Sequence, residues 1–201
     1  MRTVKIWNDT PSDRQLEEIA AWLKDGEVMI WPTDTLYGIA CSALETKAIE
    51  QVCRLKGINP EKTHLSIVCP DIATAAQYAR IDDKVYRLMR DLTPGPFTFL
   101  CRAASTLPRA FKGRKIVGIR IPDCATDRAI ASALEAPVLT TSIEFSDEDY
   151  ARNTELIAEA YEGRVSFMVE GEEGRTEPST IIDCTGADPE IVRQGIGAVS
   201  L

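Results

Sequence analysis

Glu27-Val28-Met29-Ile30-Trp31-Pro32-Thr33-Asp34-Thr35-Leu36-Tyr37-Gly38-Ile39-Ala40-Cys41-Ser42 is the stretch on which the fold class turns. Its first six residues read as a buried strand, stopped by Pro32, which has no N–H to give to a ladder. Residues 37–43 read as a second strand after a turn. Two strands thus follow one another with no helix between them. Outward toward the N-terminus, Thr3 to Trp7 alternates as a short strand. Thr10 or Ser12 is placed to cap a helix running to about Lys24, with Leu16, Ile19, Ala20 and Leu23 on its inner side, ended by Gly26.

Toward the C-terminus, helices are expected over 46–55, 71–78 and 82–91, the last two with aspartate caps. Further helices are expected over 127–134 and 153–161. Strands are expected around 64–69, 97–101, 115–122, 137–142, 165–170, 179–184 and 190–195. Helices and strands are interleaved without regular alternation, which predicts an α/β (α+β) fold with a mixed sheet and flanking helices rather than a doubly wound parallel one. Residues 1–201 read as a single domain. The acidic, glycine-bearing run 170–178 reads as a mobile loop inside it, because strands resume on both sides.

A chain of 201 residues, 44% hydrophobic and 27% charged, has enough material for a core and is not generally disordered. A net charge of −8 gives no overall basic character for nonspecific nucleic-acid binding. Charge is uneven, however: Arg102, Arg109, Lys112, Arg114, Lys115 and Arg120 fall together and leave room for one basic face toward an anionic ligand. The six cysteines form no CxxC and mostly sit in apolar runs, so they read as buried reduced thiols. The N-terminus lacks the apolar core of a signal peptide and no run is long enough to span a bilayer, so a cytoplasmic protein is expected.

Familiar cradles are missing. There is no GxxxxGK[ST] loop, no GxGxxG and no HExxH, and His64 is the one histidine. No Cys/His cluster offers a metal site. What remains is a series of polar strand ends. Thr33, Asp34, Thr35 and Tyr37 end a buried strand, where small polar ligands commonly sit; a plain strand-to-turn break explains them equally. Lys56 follows a helix and precedes a Gly/Pro loop, suited either to a phosphate or to the helix dipole. Pro94-Gly95-Pro96 fixes a turn. Arg120 interrupts an apolar strand and needs a partner if buried. Thr140, Thr141 and Ser142 are three hydroxyls at a strand end, placed for a ligand or a loop cap. Ser179 and Thr180 open one strand, and Arg193 ends another.

In this order, PTDTLYG (32–38), KGINP (56–60), PGPFTF (94–99), GIRIP (118–122), TSIE (141–144), STIID (179–183) and VRQG (192–195) resemble the YrdC/YciO-like family over nearly the whole chain. The family pattern is PT[ED]T.YG, KGRP, PGP.T, R.P, SAN, STV.D and R.G. The resemblance implies a twisted mixed sheet with a concave, positively lined cavity. It implies a threonylcarbamoyl-AMP synthase activity, joining L-threonine, bicarbonate and ATP with release of pyrophosphate, for N6-threonylcarbamoyladenosine in tRNA. Mg²⁺ would accompany the ATP, and no resident metal is expected. Family members also bind double-stranded RNA or nucleotides, which is the alternative reading.

Carried over by position, Thr33, Tyr37 and Ser142 would hold threonine. Lys56 would act at the phosphates or carbamate as the catalytic cation. Arg120, Ser142, Ser179, Thr180 and Arg193 would line the nucleotide side. Two departures matter: Ile58 stands where the family has arginine, and Glu144 where it has asparagine. An ionised glutamate repels a phosphate that an amide would bond. These departures, with His64-Leu65-Ser66 after the lysine loop, point to the YciO-like branch and to weak or altered activity. His64 and Ser66 are either cavity groups of that branch or loop residues without chemistry. The extra C-terminal domain of the longer synthases is not expected.

Overall fold

The computed structural model describes residues 1–59, 63, 65–108, 111, 114–144, 150 and 152–201; His64, Arg109 and Lys112 lie outside them. Helix α1 (Asp13–Lys24) starts at Ser12, whose hydroxyl and the Gln15 side chain cap each other's backbone N–H groups. It buries Ile19, Ala20 and Leu23. Helix α2 (Thr46–Leu55) turns Ala48, Ile49, Val52 and Cys53 inward. Asp71 caps α3 (Ile72–Tyr78) through Thr74 N at 2.7 Å. Asp82 caps α4 (Asp83–Leu92) through Lys84 N and Val85 N at 3.0 and 2.9 Å. Asn153 caps α6 (Thr154–Tyr161). Helix α5 (Ala125–Leu134) begins before the expected Asp127 because its cap comes from a distant loop. Asp9 accepts from Ala125 N and from Thr126 N, the latter at 2.7 Å, while Cys124 at the N-cap position contributes no side-chain bond.

The strands are β1 (Arg2–Lys5), β2 (Met29–Trp31), β3 (Gly38–Ser42), β4 (Ser66–Val68), β5 (Ala79–Arg80), β6 (Phe97–Ala103), β7 (Ile116–Arg120), β8 (Val138–Ser142), β9 (Phe167–Glu170), β10 (Thr180–Asp183) and β11 (Glu190–Arg193). Among the described residues they form one sheet in the order β1-β9-β2-β3-β8-β4-β7-β6-β10-β11, with β5 added beside β6. Pairing is mixed: β1/β9, β9/β2, β4/β7 and β6/β10 run parallel, and the other neighbours run antiparallel. This is the expected single-domain mixed sheet.

The sheet has two unlike faces. One carries Ile30, Ile39, Ile67, Phe99, Ile119 and Leu139 and is covered by α2, α3, α4 and α6 through Val52, Ala75, Met89 and Ile157. The opposite face carries Met29, Trp31, Ala40, Val68, Val138 and Phe167 under α1 and α5, whose Ile19, Leu23, Ile130 and Leu134 meet them. Those two helices cover only part of that face. Register carries the same face onward through Gly38 opposite Ser142, Ser66 opposite Thr140, and Thr98 opposite Ile181. Here the residues are small or hydroxylated, and the sheet floors a cavity of about 170 Å³. The six thiols are free, five of them buried and Cys184 partly so. No helix among the described residues is long and apolar enough to cross a membrane.

Candidate functional site

The cavity floor alternates by the period of a strand, so each hydroxyl that faces the cavity has an apolar neighbour facing the core. Ser66 and Gly118 show how tightly the floor is fitted: a Cβ on Gly118 would lie 2.4 Å from Ser66 Oγ. Arg120, at the end of β7, lines the cavity and is only 7% exposed. Its Nη2 donates to Asp34 Oδ1, and its Nη1 donates to Thr35 Oγ1 at 3.3 Å. The other Asp34 oxygen accepts from Asp123 N at 2.9 Å. The segment after β2 and the segment after β7 are therefore pinned through one buried ion pair. Arg120 Nε and both oxygens of the wholly buried Asp127 have no hydrogen-bond partner among the described residues. Burial pushes the Asp127 carboxyl well above the usual carboxylate range, against the pull of the Arg120 charge.

Thr33 lines the near wall. Its hydroxyl accepts from Thr35 N at 3.0 Å and donates to Leu36 O at 2.8 Å, which fixes the turn after Pro32. On the far wall Ser179 and Thr98 share a hydroxyl contact of 2.8 Å. Arg193 reaches across β10 and donates to Ser179 O through Nε at 3.2 Å and Nη2 at 2.8 Å. Burial lowers the Arg193 pKa, and the Arg120 charge adds to that. The two guanidiniums thus face one space. Arg120 is neutralised by Asp34, whereas Arg193 takes part in no ion pair among the described residues. Ser142 also lines the cavity.

Three of the expected site residues, Tyr37, Thr180 and Lys56, lie outside the cavity lining. Tyr37 is fully buried, and its hydroxyl donates to Glu172 O at 3.0 Å and accepts from Gly171 N at 3.1 Å, away from the cavity lining. Burial pushes its phenol up to about 12, so it remains a neutral donor. Thr180 is likewise buried outside the lining: it donates to Gly197 O at 2.7 Å and accepts from Gly195 N at 2.9 Å, stapling the C-terminal segment to β10. Strand alternation explains this, since Thr180 and Ser179 point to opposite faces. The 170–178 loop expected to be mobile is tethered, by Tyr37 at Gly171 and Glu172 near its start and by Arg175 N donating to Thr35 O at 3.0 Å. Tyr37→Phe is expected to cost about 1–3 kcal/mol and to speed proteolytic cleavage within 171–177. Unchanged melting and cleavage would remove the phenol as the tether.

Lys56 is outside the cavity lining. It is the residue that closes α2, and its Nζ lies 3.5 Å from Glu144 Oε1. Its side chain is 15% exposed, against 71% for Glu144. Ile58 does line the cavity, so an apolar side chain stands on the wall next to this ion pair. Leu36, Leu65 and Ile181 complete the apolar part of the lining.

Residues 21–195 match the Sua5_yciO_yrdC family model, which carries the description "Telomere recombination". The chain belongs to this family. Within it, the protein YciO of Escherichia coli K12 is 29% identical over 96% of this chain and 95% of its own length. The crystal structure of E. coli YciO superposes with a TM-score of 0.90 over 98% of both chains. The threonylcarbamoyl-AMP synthase of Bacillus subtilis is 28% identical over 92% of this chain, which spans 54% of that enzyme. The P. abyssi Sua5 structure complexed with L-threonine shares the fold, with a TM-score of 0.86 at 23% identity, over 97% of this chain and 58% of that one.

Sequence reading by segment missed the contributions of Thr98 and Ile181 to the floor. A signal was present: Gly38, Ser66, Thr98, Gly118, Thr140 and Ser142 are small or hydroxylated at the positions that alternate with Ile39, Ile67, Phe99, Ile119 and Leu139. That pattern marks a sheet face that no helix covers.

Proposed function

We propose that the cavity is the reaction site of an ATP-dependent L-threonylcarbamoyladenylate synthase, serving N6-threonylcarbamoyl modification of adenosine in tRNA. The observation that carries this reading is the hydroxyl-lined floor with Arg120 and Arg193 turned into one small space. Its volume of about 170 Å³ is below the roughly 300–1,000 Å³ of pockets that enclose a drug-sized ligand. It suits a small hydroxy amino acid and its carbamate, with the nucleotide extending outward. The synthase relatives and the threonine-bound relative support the same assignment.

Thr33 and Ser142 would hold threonine, and Arg120 would face its carboxylate. Ser179 and Arg193 would meet the phosphates, and Lys56 would act at the outer edge. The amine of threonine takes up bicarbonate carbon with loss of water, giving a carbamate. A carbamate oxygen then attacks the α-phosphorus of ATP as the bond to the β-phosphate oxygen breaks and pyrophosphate leaves. Negative charge builds on the phosphoryl oxygens, where fixed cationic donors stabilise it. Mg²⁺ would arrive as part of the nucleotide substrate and share the triphosphate charge. No protein nucleophile is required. Tyr37 and Thr180 take positioning roles, holding the loop and the C-terminal segment against the walls.

The second reading, a module that keeps the cavity to bind RNA or a nucleotide without making adenylate, is favoured by the Lys56–Glu144 pair and by Ile58. Pyrophosphate release from ATP, with and without L-threonine and bicarbonate, separates the two. Release that needs both co-substrates supports the synthase. ATP or RNA binding without release supports the module. Lys56→Ala is expected to reduce release by about tenfold or more with melting unchanged, because its partner is an exposed carboxylate and such pairs contribute about 0–1 kcal/mol. Undiminished release would take Lys56 out of the site.

A further inference from the structure

Trp31 is fully buried at the seam between the apolar core under α1 and α5 and the open part of the same sheet face. Its indole Nε1 donates to Thr140 Oγ1 at 3.1 Å, and Thr140 lines the cavity. The contact crosses β3 at Gly38, where a Cβ would lie 2.8 Å from Trp31 Nε1 and 2.9 Å from Thr140 Oγ1. Glycine at that position is what lets the two atoms meet.

The chemistry of the pair is one-directional. An indole nitrogen is a donor only, whereas a threonine hydroxyl both donates and accepts. The indole proton occupies one of the two lone pairs of Thr140 Oγ1, so the hydroxyl proton points away from Trp31. No acceptor for it is present among the described residues, since Trp31 is the one hydrogen-bond partner of Oγ1. A hydroxyl with no bias would turn to suit whatever ligand arrived. On the opposite wall Arg193 Nη2, another obligate donor, lies 3.3 Å from Ser179 Oγ, whose hydroxyl also shares the 2.8 Å contact with Thr98.

We propose that Trp31 is a positioning residue that biases Thr140 toward donating a hydrogen bond into the cavity, so that the floor favours an oxyanion over a neutral amide of the same shape. The inference deepens the reading of the cavity as a site for a small carboxylate-bearing ligand and rests on it. A carboxylate offers acceptor oxygens on both sides and satisfies a fixed donor in either orientation. A primary amide offers one oxygen, and its NH₂ group placed against Thr140 or a guanidinium leaves two donors facing each other.

The test measures equilibrium binding of L-threonine, L-threonine amide and inorganic phosphate to the full chain, apart from any turnover. Wild type is expected to bind both oxyanion probes and to prefer threonine over its amide by about tenfold or more. Trp31→Phe is expected to bind threonine about tenfold more weakly and to narrow the threonine-to-amide ratio toward unity. A loss of packing alone would weaken both ligands equally and leave that ratio unchanged. Because Trp31→Phe removes a core group, Thr140→Val and Thr140→Ser form the second pair: valine is expected to narrow the ratio and serine to preserve it. In ¹⁵N-labelled protein the Trp31 indole resonance is expected to shift on adding phosphate, and to lose that response in Thr140→Val. An unaltered ratio in both Trp31→Phe and Thr140→Val overturns the proposal, as does a wild type that binds neither oxyanion. Absence of pyrophosphate release alongside intact oxyanion binding would count against the synthase reading alone.

Discussion

Asp34→Ala is expected to destabilise the protein by about 3–5 kcal/mol, the usual consequence of removing one partner from a buried ion pair. The side chains of Arg120 and Asp34 are 8% and 6% exposed, so the guanidinium left behind has little access to water. Its Nε already lacks a partner, and Nη1 holds only a 3.3 Å contact to the Thr35 hydroxyl. For a chain of this size each kcal/mol lowers the melting temperature by roughly 2–4 °C, so a fall of about 6–20 °C is expected in a thermal melt. The loss extends beyond the pair, because the second Asp34 oxygen holds Asp123 N and so shapes the entry to α5. A change below about 1 kcal/mol, the range of an exposed ion pair, would show that Arg120 finds another counter-charge. Asp127 is the buried carboxyl placed to supply it, and Asp34→Ala/Asp127→Asn is then expected to be far less stable than the sum of the single variants.

Most of the fold was legible because it is written in local signals. Ser12, Asp71, Asp82 and Asn153 cap the helices expected after them, and the apolar positions of α1 and α2 face the cores as their spacing requires. What local reading could not give is the long-range contact. The cap of α5 comes from Asp9, so that helix starts earlier than its own sequence suggests. The short β5 is defined only by its pairing with Arg102 and Ala103 of β6. The site follows the same division. Arg120 in mid-strand signalled a buried charge, but its partner Asp34 sits in a different motif and only the fold joins them. Tyr37 and Thr180 belong to motifs that resemble the family's, yet the strand period turns their hydroxyls to the far side of the backbone, where they hold loops.

Glu144→Asn combined with Ile58→Arg is expected to raise synthase turnover by about ten- to a hundredfold per restored contact, since a charge-assisted hydrogen bond contributes about 1.5–3 kcal/mol and 1.4 kcal/mol is a factor of ten. In the present chain the Lys56 ammonium faces a carboxylate 3.5 Å away, so an incoming phosphate must compete with an internal anion and also approach its charge. Asparagine removes the repulsion and supplies an amide donor. Arginine at position 58 replaces an apolar side chain on the cavity wall with a forked donor suited to phosphate oxygens. The Glu144→Asn change is expected to alter stability little, because Glu144 is 71% exposed and its ion pair is screened by solvent. The gain should therefore appear in kcat/KM for ATP rather than in the melting temperature. It should also shrink as salt is added, because added cations at the rim act through screened charge. Glu144→Asn alone separates relief of repulsion from the added guanidinium. A double variant with no gain, or with less turnover than the parent, would mean that the Lys56–Glu144 pair is part of this branch's working geometry and that its outer ligand is not a triphosphate.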